Sequence, residues 1–151
     1  MQGKLTILAA AGVAAAVVAS IASGSDGSRT IAATAVGAGI TFVDADHSGK
    51  PSLGDYEIGR TRFVDEGGKA VGRGTVTCTQ VNAAGTQYTC SGVNHFTGGD
   101  LTTAGIFSPL AKSFSLAITG GTGAYAGARG TLKTIWLTKD FSKSKVVFTI
   151  G

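Results

Sequence analysis

The sequence has 151 residues, which is the length of one domain and too short for two separate hydrophobic cores. Only 15% of the residues are charged and 24 are glycine, and this composition favours strands and turns over helices. The formal net charge of +4 comes from sparse lysines rather than the dense basic and aromatic surface typical of nucleic-acid binding, so we expect no nucleic-acid partner.

The first predicted element is an N-terminal secretory signal peptide. Lys4 precedes the apolar stretch LTILAAAGVAAAVVASIAS, and Ser20 and Ala22 supply the small residues that a signal peptidase reads. A transmembrane anchor is the alternative, but alanine is weakly hydrophobic and no basic cluster follows the stretch. We therefore assign residues 1–28 to a signal peptide with a short linker. Residues 29–151 form one secreted domain that does not stay inserted in a membrane.

Short segments rich in strand-forming residues alternate with turn signals through the rest of the chain, and none sustains helical periodicity. The predicted strands cover residues 30–43, 55–65, 70–81, 86–96, 101–107, 113–119, 131–139 and 145–150. About eight antiparallel strands with short connections fit either a closed barrel or a sandwich. An eight-stranded barrel has room for side chains or for one small ligand.

Two cysteines flank the turn NAAG between the third and fourth predicted strands. A hairpin centred on this turn places Cys78 directly opposite Cys90. The same register puts Gly74 and Asn94 on the inner face and His95 on the outer face. An exported protein meets oxidising conditions, so we predict a disulfide between the two cysteines. A metal-binding pair and a nucleophilic thiol are the alternatives.

Two loops have the spacing of known ligand-binding motifs but lack the required context. The stretch GTGAYA from Gly121 matches the dinucleotide fingerprint, yet strand-forming residues follow it and no helix can start there. The loop DADHSG from Asp44, with Asp55 at its twelfth position, resembles a calcium loop, but Pro51 and the flanking strands favour a polar turn. We expect no metal and no organic cofactor.

The stretch LAITGGTGAYAGARGTLK closely resembles a segment near the C-terminus of allene oxide cyclases and dirigent proteins. Other fragments occur in the same order as in that family: LGD at 53–55, VGRG at 71–74, GGDL at 98–101 and then Gly105. The resemblance covers residues 44–133. It implies an all-β fold, namely an eight-stranded antiparallel β-barrel of the calycin-like type. It also implies that a homotrimer can form, since many members are trimeric.

In such a barrel the glycine-rich stretch forms a corner rather than an active site. Glycine allows positive φ angles and close approach of backbones but supplies no reactive group. We expect Tyr125 to pack over the glycines and Arg129 to bond nearby oxygen atoms. The predicted structural residues of this corner are Gly120, Gly121, Gly123, Tyr125, Gly127, Arg129 and Gly130.

The resemblance implies a site in the barrel lumen, although most of the cyclase groups are altered in this sequence. The cyclases use a carboxylate, two asparagines, a cysteine and a tyrosine. Cys78 matches the cysteine, Thr61 stands in the place of one asparagine, and Phe107 replaces the tyrosine. Phe42 and Asp44 occupy the places of the remaining pair. Allene oxide cyclisation itself is therefore not expected.

A different lumen chemistry follows if Thr61 points inward. Side chains alternate along a strand, so Glu57 and Phe63 then point inward as well, and Tyr88 and Asn94 face the same interior. Glu57 is the candidate catalytic residue, because a carboxylate near the barrel mouth can act as an acid or a base. The alternative is an ordinary exposed carboxylate at a strand end. The predicted substrate-binding residues are Phe42, Asp44, Thr61, Phe63, Tyr88, Asn94 and Phe107.

Three functions are consistent with these residues. The first is an exported cyclase or isomerase that folds a small hydrophobic substrate inside the barrel without a cofactor. The second is a dirigent-like protein that only orients a reactive intermediate. The third is a structural barrel with no ligand. A confined apolar cavity restricts the conformers of a flexible reactant, and this shape control is common to the first two.

Overall fold

The computed structural model describes residues 22–23 and 27–151. The predicted signal peptide lies outside these described residues, apart from Ala22 and Ser23. Within them, the structure contains no helix with the length and apolar character needed to cross a bilayer.

All regular structure in the described residues, except one short turn, is β-strand. The strands are β1 (Ala22–Ser23), β2 (Arg29–Val43), β3 (Tyr56–Val64), β4 (Ala70–Gln80), β5 (Tyr88–Phe96), β6 (Gly99–Phe107), β7 (Ser113–Gly121), β8 (Gly130–Trp136) and β9 (Lys143–Ile150). Each pairs antiparallel with the next along the chain, and β9 pairs back onto β2. The prediction of a closed eight-stranded antiparallel barrel, formed by β2 to β9, is therefore confirmed, and the sandwich is excluded.

Strand ends differ from the prediction where side chains or tight turns form hydrogen bonds with the backbone. β8 ends at Trp136 rather than at residue 139, because the Leu137 N–H donates to the carbonyl of Lys143 and closes a hairpin. β5 begins two residues late because the Asn82 side chain accepts hydrogen bonds from the backbone N–H groups of Thr86 and Gln87.

The glycine-rich corner contains one turn of 3₁₀ helix at Gly123–Tyr125. The expectation that no helix starts there is therefore wrong, although a three-residue turn is too short to present a helix N-terminus to a dinucleotide. Gly123 has a φ of +58°, and the N–H of Ala126 donates to its carbonyl over 3.1 Å. The Tyr125 side chain is buried against this corner, and its hydroxyl donates to the carbonyl of Thr97 over 3.4 Å.

One end of the barrel is filled by aromatic side chains. The ring centroid of Phe96 lies 5.2 Å from that of Phe63 and 5.1 Å from that of Phe148, and all three residues are buried. Such pairs contribute about 0.5–1.5 kcal/mol each beyond their buried area. This phenylalanine cluster forms a floor that closes the lumen at the end where the glycine-rich corner lies.

The opposite end is open, and β2 extends beyond it. The first half of β2 pairs with β9 over Arg29–Val36, whereas its second half pairs only with β3, after an irregularity between Gly37 and Gly39. Four loops surround this mouth: 44–55 between β2 and β3, 81–87 between β4 and β5, 108–112 between β6 and β7, and 137–142 between β8 and β9. The strand order therefore produces a cup with one floor and one rim.

Candidate functional site

A cavity of about 390 Å³ occupies the lumen between the phenylalanine floor and the mouth. This volume lies within the range of small-molecule sites in proteins. Glu57 and Arg60 are the only charged residues among the described residues that line it. The cavity is therefore an apolar compartment with few polar groups, which is the usual composition of a site for a small organic ligand.

Aromatic rings form one wall of the cavity near the mouth. The ring centroid of Phe107 lies 4.9 Å from that of Phe114 and 6.0 Å from that of Tyr88. The Trp136 ring lies 5.8 Å from Phe114 and 4.9 Å from Phe141. These five side chains come from β5, β6, β7, β8 and the β8–β9 loop, and they offer flat faces on which a planar ligand can stack.

The other wall is rich in glycine, and this creates the free volume. Gly59 and Gly74 both line the cavity. A Cβ at Gly59 would lie 3.1 Å from the Val76 side chain, and one at Gly74 would lie 3.0 Å from the ring of Phe63. Any larger residue at these positions would project into the space that a ligand needs.

Glu57 and Tyr88 are the ionisable groups best placed for chemistry. Glu57 is half-buried and lines the cavity on β3, opposite Cys78. Burial raises the pKa of the Tyr88 phenol above its usual value, and the negative charges of Glu57 and Asp55 add to this effect. The Tyr88 hydroxyl donates to Oε1 of Gln80 over 3.3 Å. Tyr88 thus remains a protonated hydrogen-bond donor beside a carboxylate.

Asn94 and Thr103 provide polar groups deeper in the lumen. Both residues are buried and line the cavity. The Asn94 amide donates to the carbonyl of Leu101 and to the hydroxyl of Thr103, each over 3.4 Å. These long bonds hold the amide against β6, with its carbonyl side toward Gly74.

Trp136 carries the one buried side-chain nitrogen or oxygen atom without a hydrogen-bond partner in the described part of the chain. This atom is Nε1 of the indole ring. A buried donor without a partner costs about 1–3 kcal/mol. Other atoms of Trp136 line the cavity, whereas this nitrogen is itself closed off from it.

Cys78 and Cys90 form a disulfide, as predicted. The β4–β5 register also matches the prediction, since Cys78 pairs with Cys90 and Gly74 with Asn94. His95 points outward, with its Nδ1 atom 2.7 Å from Asp100 Oδ1. Both sulfurs are bonded to each other, so neither the nucleophilic-thiol nor the metal-pair alternative applies. The disulfide is part of the cavity wall.

The predicted substrate-binding residues divide into two groups. Those that line the cavity are Thr61, Phe63, Tyr88, Asn94 and Phe107. Phe42 lies opposite Glu57 on the extended part of β2, outside the cavity and half-exposed, while Asp44 lies in the β2–β3 loop. Sequence reasoning missed Phe114, Trp136 and Phe141. An inward alternation read along β7 and β8 would have identified the first two.

Asp44, Asp46 and Asp55 bring carboxylate oxygens within 4.8 Å of one another. Asp44 accepts N–H bonds from Ser48 and Gly49, and the buried Asp55 accepts two more. Hydrogen bonds from serine lower the pKa of Asp46 to about 2. Backbone groups thus occupy most of these oxygens, which is the arrangement of a polar turn.

Arg129 and the glycines of the corner lie at the floor end, away from the cavity. The Arg129 guanidinium donates to the carbonyl of Ala128 over 2.8 Å. Gly130 has a φ of +141°, and a Cβ there would overlap the carbonyl oxygen of Thr149. Residue 130 must therefore be glycine if β8 is to approach β9 this closely.

Comparison with known proteins agrees with this architecture. The sequence model for the family described as allene oxide cyclase barrel like domain matches residues 31–148. No curated protein matches the chain by sequence. Among solved structures, pyocyanin demethylase has a TM-score of 0.69 at 23% identity, over 81% of this chain and 99% of that one.

Two further solved structures share the fold. The pterocarpan synthase dirigent protein GePTS1 has a TM-score of 0.65 at 19% identity, over 82% of each chain. The Diels-Alderase AbmU from Streptomyces koyangensis has a TM-score of 0.63 at 15% identity, over 81% of this chain and 63% of that one. At these identities the likeness shows the fold alone.

Proposed function

The chain belongs to the family of allene oxide cyclase barrel-like domains, and we propose that its lumen binds a small, flat, largely apolar molecule and holds it in one reactive conformation. The observation that carries this proposal is the cavity of about 390 Å³, with aromatic rings on one wall and glycines on the other. Restricting a flexible reactant to one conformer lowers the entropic part of a reaction barrier. No metal or organic cofactor is needed for such an effect.

Two side chains at the mouth support acid–base assistance in the same cavity. The Tyr88 phenol, kept protonated by burial and by Glu57, can exchange its long hydrogen bond to Gln80 for one to a carbonyl oxygen of the ligand. Glu57 can accept a proton from the ligand and return it to another atom of the same molecule. The ligand then isomerises or closes a ring without a net gain or loss of protons.

Ligand binding is tested with N-phenyl-1-naphthylamine, an uncharged flat aromatic probe that fluoresces in apolar sites. Trp136 is the only tryptophan in the chain, so energy transfer from it to the probe reports on this cavity. Thr61→Phe should block binding because Thr61 lines the lumen, whereas Thr89→Phe, on the exposed outer face of β5, should not. Equal binding by both variants would place the probe elsewhere and refute the proposal.

A dirigent-like role is the second candidate, and the fold shared with a pterocarpan synthase dirigent protein favours it. In this role the cavity orients an intermediate and Glu57 takes no part in proton transfer. The Glu57→Gln variant separates the two candidates. If this variant loses turnover of the substrate but still binds the naphthylamine probe, acid–base assistance is supported. If its turnover of the substrate is unchanged, orientation alone is supported.

We also propose that the protein is exported, because the disulfide persists only in an oxidising compartment. Removal of an N-terminal signal peptide would shorten the chain at a site near residue 22. The mass of protein recovered from the medium of expressing cells tests this proposal. A full-length mass in the cell fraction alone would contradict it.

A further inference from the structure

Exposed apolar side chains are concentrated at the mouth of the barrel. Nine large ones are exposed in the described part of the chain, and only Val93 lies on the outer wall away from the mouth. The other eight are Ile40, Phe42, Leu53, Val81, Ile106, Leu110, Leu137 and Phe141. Such a concentration on one face marks an interaction surface rather than chance exposure.

Two neighbouring loops carry three of these side chains, Leu110, Leu137 and Phe141. The backbone N–H of Trp136 donates to the carbonyl of Lys112 over 3.1 Å and thereby fixes the β6–β7 loop beside the β8–β9 loop. Leu110 is 78% exposed, Leu137 56% and Phe141 44%. We call this part of the mouth the docking rim; it comprises Leu110, Lys112, Leu137, Lys139, Phe141 and Lys143.

The docking rim is also the positively charged side of the mouth. Residues 108–112 and 137–145 contain four lysines and one aspartate. That aspartate, Asp140, is held by hydrogen bonds from Thr138 and Ser142, which lower its pKa to about 2. Asp44 and Asp46 lie in the β2–β3 loop, which faces the β6–β7 loop across the mouth. Exposed apolar groups therefore coincide with an excess of lysine on this sector, whereas the β2–β3 loop, which carries Leu53, has three aspartates and one lysine.

We propose that the docking rim binds the surface of an anionic phospholipid bilayer. Leu110 and Leu137 enter the headgroup region, while the lysines reach the lipid phosphates with their long side chains. A lipid surface fits better than a protein partner, because a partner shaped to this rim would seal the cavity mouth. Because the acidic loop lies opposite the β6–β7 loop, the barrel docks tilted, with Leu53 held away from the lipid.

Phe141 connects the docking rim with the cavity. It is partly exposed, it lines the lumen, and its ring lies 4.9 Å from that of Trp136. A continuous apolar path therefore leads from the rim to the aromatic wall. An apolar molecule dissolved in the bilayer could enter the lumen along this path without crossing water. The docking itself does not require that a ligand be bound.

Flotation with vesicles tests the proposal. The protein is mixed with vesicles of phosphatidylcholine alone or of phosphatidylcholine with phosphatidylglycerol, at low and at high salt. We expect binding only to the anionic vesicles and weakening by salt. Lys112→Glu/Lys139→Glu should weaken binding by at least about fivefold per lysine. Leu110→Ser/Leu137→Ser should weaken it by about tenfold or more per leucine.

Matched controls separate the docking rim from general charge and general apolar exposure. Lys69→Glu/Lys133→Glu makes the same change in net charge away from the mouth, and Leu53→Ser removes an exposed leucine on the acidic side. Both controls should bind like the unaltered protein. Absence of binding to anionic vesicles would overturn the proposal, as would equal weakening by the control variants. Self-association in solution that depends on Leu110 and Leu137 would instead identify a second copy as the occupant.

Discussion

The disulfide between Cys78 and Cys90 should contribute about 3 kcal/mol to the free energy of unfolding. The cysteines are 12 residues apart in sequence, and closing a loop of about this length in the unfolded chain removes conformational entropy worth about 3 kcal/mol. In the folded state the β4–β5 register already holds the two residues opposite each other. Little native structure should therefore change when the cross-link is cut.

Urea unfolding, followed by circular dichroism, measures this contribution in two ways. Reduction of the unaltered protein removes the cross-link but keeps both sulfurs, whereas Cys78→Ala/Cys90→Ala also removes sulfur packing at the buried Cys90. We expect a loss of about 3 kcal/mol on reduction and a larger loss in the double variant. A loss below about 1 kcal/mol on reduction would refute the loop-closure argument. A collapse of the barrel would show that the hairpin register depends on the bond.

Three further predictions concern single positions. Gly130→Ala should destabilise the protein far more than Gly127→Ala in thermal unfolding: both glycines have positive φ, but only at Gly130 would a Cβ overlap a backbone carbonyl. Glu57→Gln should lower the pKa of Tyr88 in an ultraviolet absorbance titration, but not to its usual value, because burial is the larger cause. Asp46 has a folded pKa of about 2, below its usual 3.8. Its contribution to the free energy of unfolding is therefore fully present above about pH 4 and is lost as the pH falls through about 2. A carboxyl titration of Asp46 by NMR with its midpoint near 3.8 would contradict this.

The sequence was sufficient to predict the strands and the register of the β4–β5 hairpin. Side chains in a strand alternate with a period of two, and the short turn fixes which residues face each other. Once Cys78 was placed opposite Cys90, the inward positions of Tyr88 and Asn94 followed, and the structure has them there. Local pairing of this kind depends only on neighbours along the chain.

The cavity wall and the rim could not be predicted in the same way, because they depend on closure of the barrel. Trp136 reaches the site through β8, and its contact with Phe107 joins residues that are not neighbours in any hairpin. The extension of β2 past the rim arises because its first half pairs with β9 and its second half only with β3. Neither fact is encoded by a local pattern, and the resemblance alone assigns Phe42 and Asp44 to the lumen.

The stretch that carries the resemblance and the residues of the proposed site lie at opposite ends of the barrel. The glycine-rich corner joins β7 to β8 at the floor, where Gly130 lets β8 approach β9 closely. The mouth is formed by loops that tolerate replacement, since only their ends are held by the barrel. Family membership is therefore evidence about the floor and the fold, whereas the proposed specificity rests on Glu57, Tyr88 and the aromatic wall. Exchange of the 137–142 loop, which supplies Phe141 of the aromatic wall, with that of another member should consequently change the ligand that binds and leave the unfolding temperature nearly unaltered.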